Sequence, residues 1–475
     1  MGRTHWIGRV PATSSSLSQR CRSPIPSVVA RGLAVGLLAL VVGGCGALNG
    51  SAQATTSLST SAAITTTPSA SATSATPTPT ATPSLMPTIT AAVGTQPVGR
   101  TAEPSAVDHF SLTGAMTTAR VRHTATLLRD GRVLIVGGSA GGWGSASLKS
   151  AEIYNPTTGK FSATGSMQIA RAGHTATLLN DGRVLVAGGH SADLVGLWLN
   201  PKSTAPDMGL PLGSAEIYDP ATGKFTSTGS MIAARDSHTA TLLHDGRVLI
   251  AGGFDCTNVT SCEGVGSAEL YDPATGHFSL TGSPQEFVDA TAAVLLNDGH
   301  VLVVGNSEMG IFDPATGKFS GSAEPPLTYG PVSLLKNGRV LRSGGLQSTP
   351  GGSPGYALFA AAELFDPATG KFSPTGSMAK ARAGHSSTAL SDGHVLVAGG
   401  GDIFRCRANP CTSADLGTAE IYDLATGRFS PAQSMKVGRF DHTSTLLKDG
   451  RVLITGGRAG TVNGQAVASA ELYGR

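Results

Sequence analysis

Charge and aromatic rings are both scarce in this chain. Of its 475 residues, 14% are charged and 5% are aromatic. A formal charge of +3 is too weak for a nucleic-acid binder, whose domains carry clustered Lys and Arg and a pI above ~9. The apolar run LAVGLLALVV, residues 33–42, falls short of the ~20 residues that a membrane-spanning helix needs. Glycine, by contrast, is in excess, with 63 residues, nearly twice the usual ~7%. Interior Gly costs a helix roughly 1 kcal/mol against Ala, so this composition argues against helices. It suits many short strands joined by tight turns. At ~150 residues per domain, length alone suggests two or three domains.

Residues 1–44 contain no Asp or Glu, and Arg3, Arg9, Arg20, Arg22 and Arg31 precede or open the apolar run. A basic stretch, a short apolar run and small residues before a cut mark an export signal. The run ends Val42, Gly43, Gly44, Cys45, which resembles a bacterial lipobox. That resemblance implies a diacylated Cys45 as the new N-terminus, and two acyl chains anchor stably where one does not. Loss of residues 1–44 removes five of the 34 basic residues and none of the 31 acidic ones, turning +3 into −2. Residues 46–99 carry no charge and are mostly Ser, Thr, Ala and Pro. Such a segment has too little apolar surface to offset its ordering entropy and is expected to be disordered. As a coil it would span roughly 40 Å, and fully extended up to roughly 170 Å. The expected organisation is a signal peptide at 1–44, a lipidated Cys and linker at 45–106, and a folded region at 107–475.

The folded region repeats itself. A double-glycine slot falls at Gly137, Gly188, Gly252, Gly305, Gly344, Gly399 and Gly456, about 53 residues apart on average. A turn precedes each slot: Asp130-Gly131, Asp181-Gly182, Asp245-Gly246, Asp298-Gly299, Asn337-Gly338, Asp392-Gly393 and Asp449-Gly450. Asp-Gly or Asn-Gly between apolar runs predicts a β-hairpin with a type I′ turn. Flanks such as TATLL and RVLVAGG read as strands, AEIY opens a third, and the stretch from KF makes a fourth. Each unit thus offers four antiparallel strands, a to d. One aromatic slot holds Tyr154, Tyr218, Tyr271, Phe312, Phe365, Tyr422 and Tyr473. A second holds Phe161, Phe225, Phe278, Phe319, Phe372 and Phe429, and Phe110 supplies the missing seventh. The expected fold is all-β: a seven-bladed propeller closed by an N-terminal strand, which removes the exposed edges.

These units resemble the kelch-repeat superfamily of galactose oxidase-type propellers, close to bacterial kelch-repeat lipoproteins. The resemblance runs from about Val107 to Arg475. It implies the fold and little about activity, because kelch propellers include ligand-binding scaffolds, adaptors and a few enzymes. Family motifs often carry Trp where these blades carry Phe.

Recurring polar residues are expected to serve the blades. Arg120, Arg171, Arg235, Arg382 and Arg439 stand three residues before His123, His174, His238, His385 and His442. Histidines spread around a ring do not converge within the ~2.0–2.3 Å that zinc requires. Glu152, Glu216, Glu269, Glu363, Glu420 and Glu471 are expected to bond within their blades, with the repeat Arg as one partner. Blades four and five break the pattern: Val288 and Leu327 take the Arg slots, Thr291 and Gly330 the His slots, and Gly310 one Glu slot.

The a–b and c–d turns keep constant length, whereas the b–c segments have 12, 25, 14, 2, 16, 18 and 12 residues. Variable loops on a rigid scaffold are where binding usually sits. All nine aromatics outside the repeat slots fall on that face, including Phe287, Phe359 and Phe440. Trp143, Trp198, Phe254, Tyr329, Tyr356 and Phe404 are the candidate ligand contacts, since aromatic side chains are enriched at hot spots. Cys256 with Cys262, and Cys406 with Cys411, are expected to form local disulfides, the simplest of three connectivities; a zinc site shared by all four is the alternative. No nucleophile–base motif or phosphate loop is present. No Tyr is followed by His, so the copper site of galactose oxidase, which needs that pair, is not expected. The leading expectation is a monomeric protein, lipid-anchored to the bacterial envelope and facing outward. It would bind a glycan, peptide or protein without cofactor, metal or nucleic acid, touching the membrane only through its lipid. A metal-free, mutarotase-like sugar enzyme and a structural envelope protein are the alternatives.

Overall fold

The computed structural model describes residues 108–141, 145–191, 210–258, 261–282, 292–305, 308–323, 330–348, 356–401, 415–460 and 464–474. Every regular element among them is a β-strand, and none is a helix long and apolar enough to cross a membrane. Seven four-stranded antiparallel sheets form the blades. Their inner strands are Thr124–Leu127, Thr175–Leu178, Thr239–Leu242, Ala292–Leu295, Val332–Leu334, Ser386–Ala389 and Thr443–Leu446. Each inner strand touches those of the two neighbouring blades, and the last touches the first, so the ring closes around a central axis. The seventh blade takes three strands from the C-terminal end and His109–Leu112 from the N-terminal side, with Phe110 opposite Tyr473.

The second strands, such as Val133–Val136 and Val184–Ala187, are buried along their whole length. Both of their faces pack against neighbouring blades, which explains their unbroken Val, Leu and Ile. The two aromatic slots meet in every blade, with ring centroids 4.8 to 5.3 Å apart and tilted planes. Such pairs add ~0.5–1.5 kcal/mol beyond the area they bury.

The a–b turns differ from expectation. In blade one, Gly131 N–H donates to Leu128 C=O at 3.0 Å, and Leu128 N–H donates to Arg132 C=O at 2.8 Å. The loop therefore has three residues, and Gly131 has φ +90° while Asp130 is not left-handed. That is a type I turn followed by a glycine bulge, not the two-residue type I′ turn, which needs positive φ at both central residues. The Asp130 carboxylate accepts the Arg132 N–H at 3.0 Å, which favours the wider turn.

The double glycine makes room for the next blade. A Cβ on Gly188, at φ +64°, would lie 2.6 Å from His238 Cε1 and 2.7 Å from the Arg235 carbonyl oxygen. Gly137, Gly344, Gly399 and Gly456 face His174, His385, His442 and His123 in the same way. Parts of three b–c segments fold as short hairpins: Phe254–Asn258 with Ser261–Gly264, Leu346–Ser348 with Tyr356–Leu358, and Arg458–Ala459 with Gln465–Ala466.

Candidate functional site

The repeated polar residues tie the ring together. Arg120 donates to the carbonyls of Gly137 and Ser150, each at 2.9 Å, and to Glu152 Oε1 at 2.9 Å. Glu152 also accepts the N–H groups of Thr117 and Thr118, pinning the chain that crosses in from blade seven. The same Arg–Glu pairs are Arg171–Glu216, Arg235–Glu269, Arg382–Glu420 and Arg439–Glu471, at 2.8 to 3.0 Å and fully buried. The histidines bond across blade seams to hydroxyls. His174 Nε2 meets Thr124 Oγ1 at 3.0 Å, His238 meets Thr175 at 3.0 Å, and His442 meets Ser386 at 3.0 Å. Burial, helped by Arg120, holds the His123 imidazole at about 3, and burial holds His238, His385 and His442 there too. These rings are neutral seam fasteners.

The turn face is uniform. Its grooves between blades three and four, and four and five, are about 430 and 330 Å³. They are lined by repeat turn residues already paired in place, such as Arg247 with Asp245 at 2.6 Å and His300 with Asp298 at 3.2 Å.

The opposite face is built differently. The residue just before each repeat His is left-handed: Arg122 at φ 57°, Gly173 at 64°, Ser237 at 51°, Gly384 at 60° and Asp441 at 52°. Arg122, Ser237 and Asp441 are the positive-φ non-glycine residues among those described. This conformation costs an L-residue roughly 1–2 kcal/mol, so glycine is the neutral choice there. The slot opens each inner strand, placing these half-buried side chains at the channel mouth. Blades six, seven, one, two and three carry them in succession around the ring. Gly173 N–H donates to Arg122 C=O at 3.1 Å, Ser237 N–H to Gly173 C=O at 2.9 Å, and Asp441 N–H to Gly384 C=O at 3.1 Å.

Polar side chains crowd this arc. Arg122 Nη2 reaches past Gly173 to donate to Ser237 Oγ at 3.0 Å, so one guanidinium spans three blades. Beneath it, His190 Nδ1 and Asp236 Oδ2 lie 2.8 Å apart, both buried. Burial opposes ionisation of Asp236, but the His190 hydrogen bond and the Arg122 charge hold its carboxyl below the usual carboxylate value. His190 Nε2 is buried without a hydrogen-bond partner among the described residues. On the blade-seven side, Arg458 stacks on Phe440 at 5.1 Å. Asp415 stands near Arg458 and Asp441. Burial pushes the Asp415 carboxyl up to about 7; Arg458 opposes this and Asp441 reinforces it.

Of the six candidate contacts, Phe254 is half-buried beside the mouth, its backbone bonded both ways to Asp236 at 3.0 Å. Tyr356 opens the second strand of the blade-five hairpin, opposite Ser348. Trp143, Trp198, Tyr329 and Phe404 lie outside the described residues, as do Cys45, Cys406 and Cys411. By sequence, Tyr329 stands just before the His slot of blade five. Cys256 and Cys262 stand on the facing strands of one hairpin, one step beyond the Asp255–Glu263 pair. Phe440 is buried between Arg458 and Gly384 of blade six. The charged arc itself was not foreseen. Its signal lay in the residue before each His, where two glycines alternate with Arg, Ser and Asp.

The Kelch motif matches residues 120–168. No curated protein matches the chain at a significant level. A fungal alcohol oxidase of the AA5 family, solved in complex with copper, is similar at 19% identity and a TM-score of 0.59. The match covers 77% of this chain and 76% of that one. YjhT is also similar, at 16% identity and a TM-score of 0.47, over 75% of this chain and 96% of that chain. The fold is a seven-bladed propeller that carries a kelch motif, an architecture similar to that of the fungal oxidase. The residues described do not fit the oxidase's copper. Among them, no group of three or more His, Cys, Asp or Glu is placed to hold a metal ion. Tyr154, Tyr218, Tyr271 and Tyr422 are each committed to a threonine hydroxyl of the preceding blade, at 2.8 to 2.9 Å.

Proposed function

We propose that this chain is an exported, surface-tethered binding protein of a bacterial envelope. In this reading residues 1–44 direct export, Cys45 carries the lipid, residues 45–106 form the tether, and residues 107–475 form the propeller. The protein faces outward as a monomer and takes a glycan, peptide or protein partner on its loop-bearing face, without cofactor or nucleic acid. The observation that carries this reading is the arc of Arg122, Ser237 and Asp441, held left-handed at the mouth where glycine would be relaxed. Strain of this kind clusters at functional sites, because the surroundings must over-determine it. Trp143, Trp198, Phe254, Tyr329, Tyr356 and Phe404 would add aromatic contacts around the arc.

A second reading, a metal-free sugar-modifying enzyme, is favoured by one observation. Asp415, with its carboxyl near 7, could give or take a proton at neutral pH beside Asp441 and Arg458. Purified full-length protein, screened against glycan arrays and envelope extracts, tests the binding reading. Retention that depends on Arg122 and Asp441 supports it, and retention indifferent to both refutes the arc. Turnover of a retained sugar that is lost in Asp415→Asn would move the assignment to the enzyme. Radiolabelled palmitate entering the wild type but not Cys45→Ala tests the anchor.

A further inference from the structure

Blades four and five lose their seam fasteners together. The His slot of blade five is Gly330 and its tyrosine slot is Phe365. The inner strand of blade four offers Ala292 and Val294 where blades one to three have threonines. Gly159, Gly223, Gly276, Gly317 and Gly427 each meet a threonine hydroxyl of the preceding blade, but Gly370 has nothing within 4 Å. The described seam between these blades is apolar, with Leu296, Leu302 and Val304 packed on Val340 and Phe365.

One charged pair is buried in that seam. Arg342 occupies a strand position held elsewhere by Ile135, Val186, Ile250, Val303, Val397 and Ile454. It lies two residues beyond Val340, so it shares the face turned toward blade four. Its side chain is 0% exposed, yet none of its three guanidinium nitrogens has a hydrogen-bond partner among the described residues. Its carbon Cζ stands 5.5 Å above the Phe372 ring. Glu363 is directly opposite on the next strand, and its Oε2 is also buried without a hydrogen-bond partner among the described residues. In other blades the Glu accepts N–H groups from the crossing chain. The crossing that enters blade five carries Pro325 and Pro326 in the sequence, and proline has no N–H.

A buried guanidinium left without acceptors is strongly unfavourable, and its planar fork of donors matches an oxyanion. We propose that Arg342 binds an oxyanion, a carboxylate or phosphate group, in the seam between blades four and five, with Glu363 as the second wall of the site. Burial pushes the Glu363 carboxyl upward, and Arg342 pulls against it. The bound group would take the place of the fasteners that this seam lacks.

The test is thermal unfolding of the full chain with sodium acetate or sodium phosphate titrated in, a bulky sulfonate salt holding ionic strength constant. The wild type is expected to show a saturable rise in Tm with at least one oxyanion, and the stronger of the two identifies the source of the ligand group. Arg342→Ile, which restores the residue type of the other blades, is expected to lose the dependence. Glu363→Gln, which puts an uncharged amide donor in place of the carboxyl, is expected to saturate at lower concentration. A wild-type Tm that responds to neither oxyanion overturns the proposal, leaving Glu363 itself to close on Arg342. An equal response in wild type and Arg342→Ile overturns it as well. Neither outcome touches the binding reading for the channel mouth.

Discussion

Replacing Arg122 by glycine and by alanine should separate the backbone role of this position from its side-chain role. At φ 57° the wild-type arginine is in a conformation that costs an L-residue roughly 1–2 kcal/mol. Glycine relieves that strain, but loosens the unfolded chain by ~0.4–1 kcal/mol. It also removes the 3.0 Å bond to Ser237, worth ~1 kcal/mol. The three terms nearly cancel, so Arg122→Gly should change stability by no more than ~1 kcal/mol. Arg122→Ala loses the same bond and keeps the strain, so it should be less stable than Arg122→Gly by roughly 1 kcal/mol. Binding should follow the side chain instead. Both variants should lose ~2 kcal/mol, or about 30-fold in Kd, if the arginine is a hot spot. Asp441→Gly should likewise weaken binding while holding or raising stability. Urea unfolding gives the stabilities, and biolayer interferometry with a ligand retained in the screen gives Kd. Equal stability of the glycine and alanine variants would refute the strain argument. Unchanged Kd in both would remove Arg122 from the site.

Other consequences follow from the seams and loops. Gly188→Ala should destabilise severely, because its Cβ would strike His238 and the Arg235 carbonyl, whereas Gly370→Ala at φ +66° meets nothing and should cost only ~1 kcal/mol; differential scanning calorimetry of both variants checks the contrast. The histidines held near 3 bind protons in the unfolded chain at ~6.5, so the unfolded state takes up more protons as pH falls. Stability should therefore be level above about pH 6.5 and fall steadily toward pH 3; a urea midpoint that stays flat from neutral pH to ~4.5 would contradict that. Non-reducing peptide mapping should recover Cys256 joined to Cys262 and Cys406 joined to Cys411, each bond closing a small loop. A cross-loop pair, or zinc released by denaturation, would replace that assignment.

Much of the architecture could be read from spacing alone. The seven double-glycine slots count the blades, and the displaced Phe110 indicates how the ring closes. The Arg–Glu pairs follow because a residue that recurs in most blades must find its partner at a constant offset. The turn type did not follow, because Asp-Gly suits both a two-residue loop and a three-residue loop with a glycine bulge. The Asp130 carboxylate, bonded to the Arg132 N–H, favours the second. The channel-mouth arc was hidden for a different reason. Gly, Ser, Asp and Arg at one slot look like drift until φ shows that all five described examples are left-handed. Phe440, one of the nine aromatics outside the repeat slots and not a candidate contact, is covered by Arg458.

The seam glycines link residues far apart in sequence. Gly137, Gly188, Gly344, Gly399 and Gly456 each give up a side chain to admit the histidine ring of the next blade, which then bonds a hydroxyl of the blade before it. Deleting the histidine therefore releases two neighbours from constraint, not one. Blade five has Gly330 in its His slot, and the facing positions of blade four are the aliphatic Ala292 and Val294. Once the fastener is absent, its hydroxyl partner would be a buried polar group without a bond, and replacement by an aliphatic removes that penalty. Arg342 is the exception: a buried charge introduced where the seam had become apolar. Drift toward packing would put isoleucine there, as in blades one, three and seven. An arginine in its place needs an acceptor, and the oxyanion titration asks whether that acceptor comes from outside the chain.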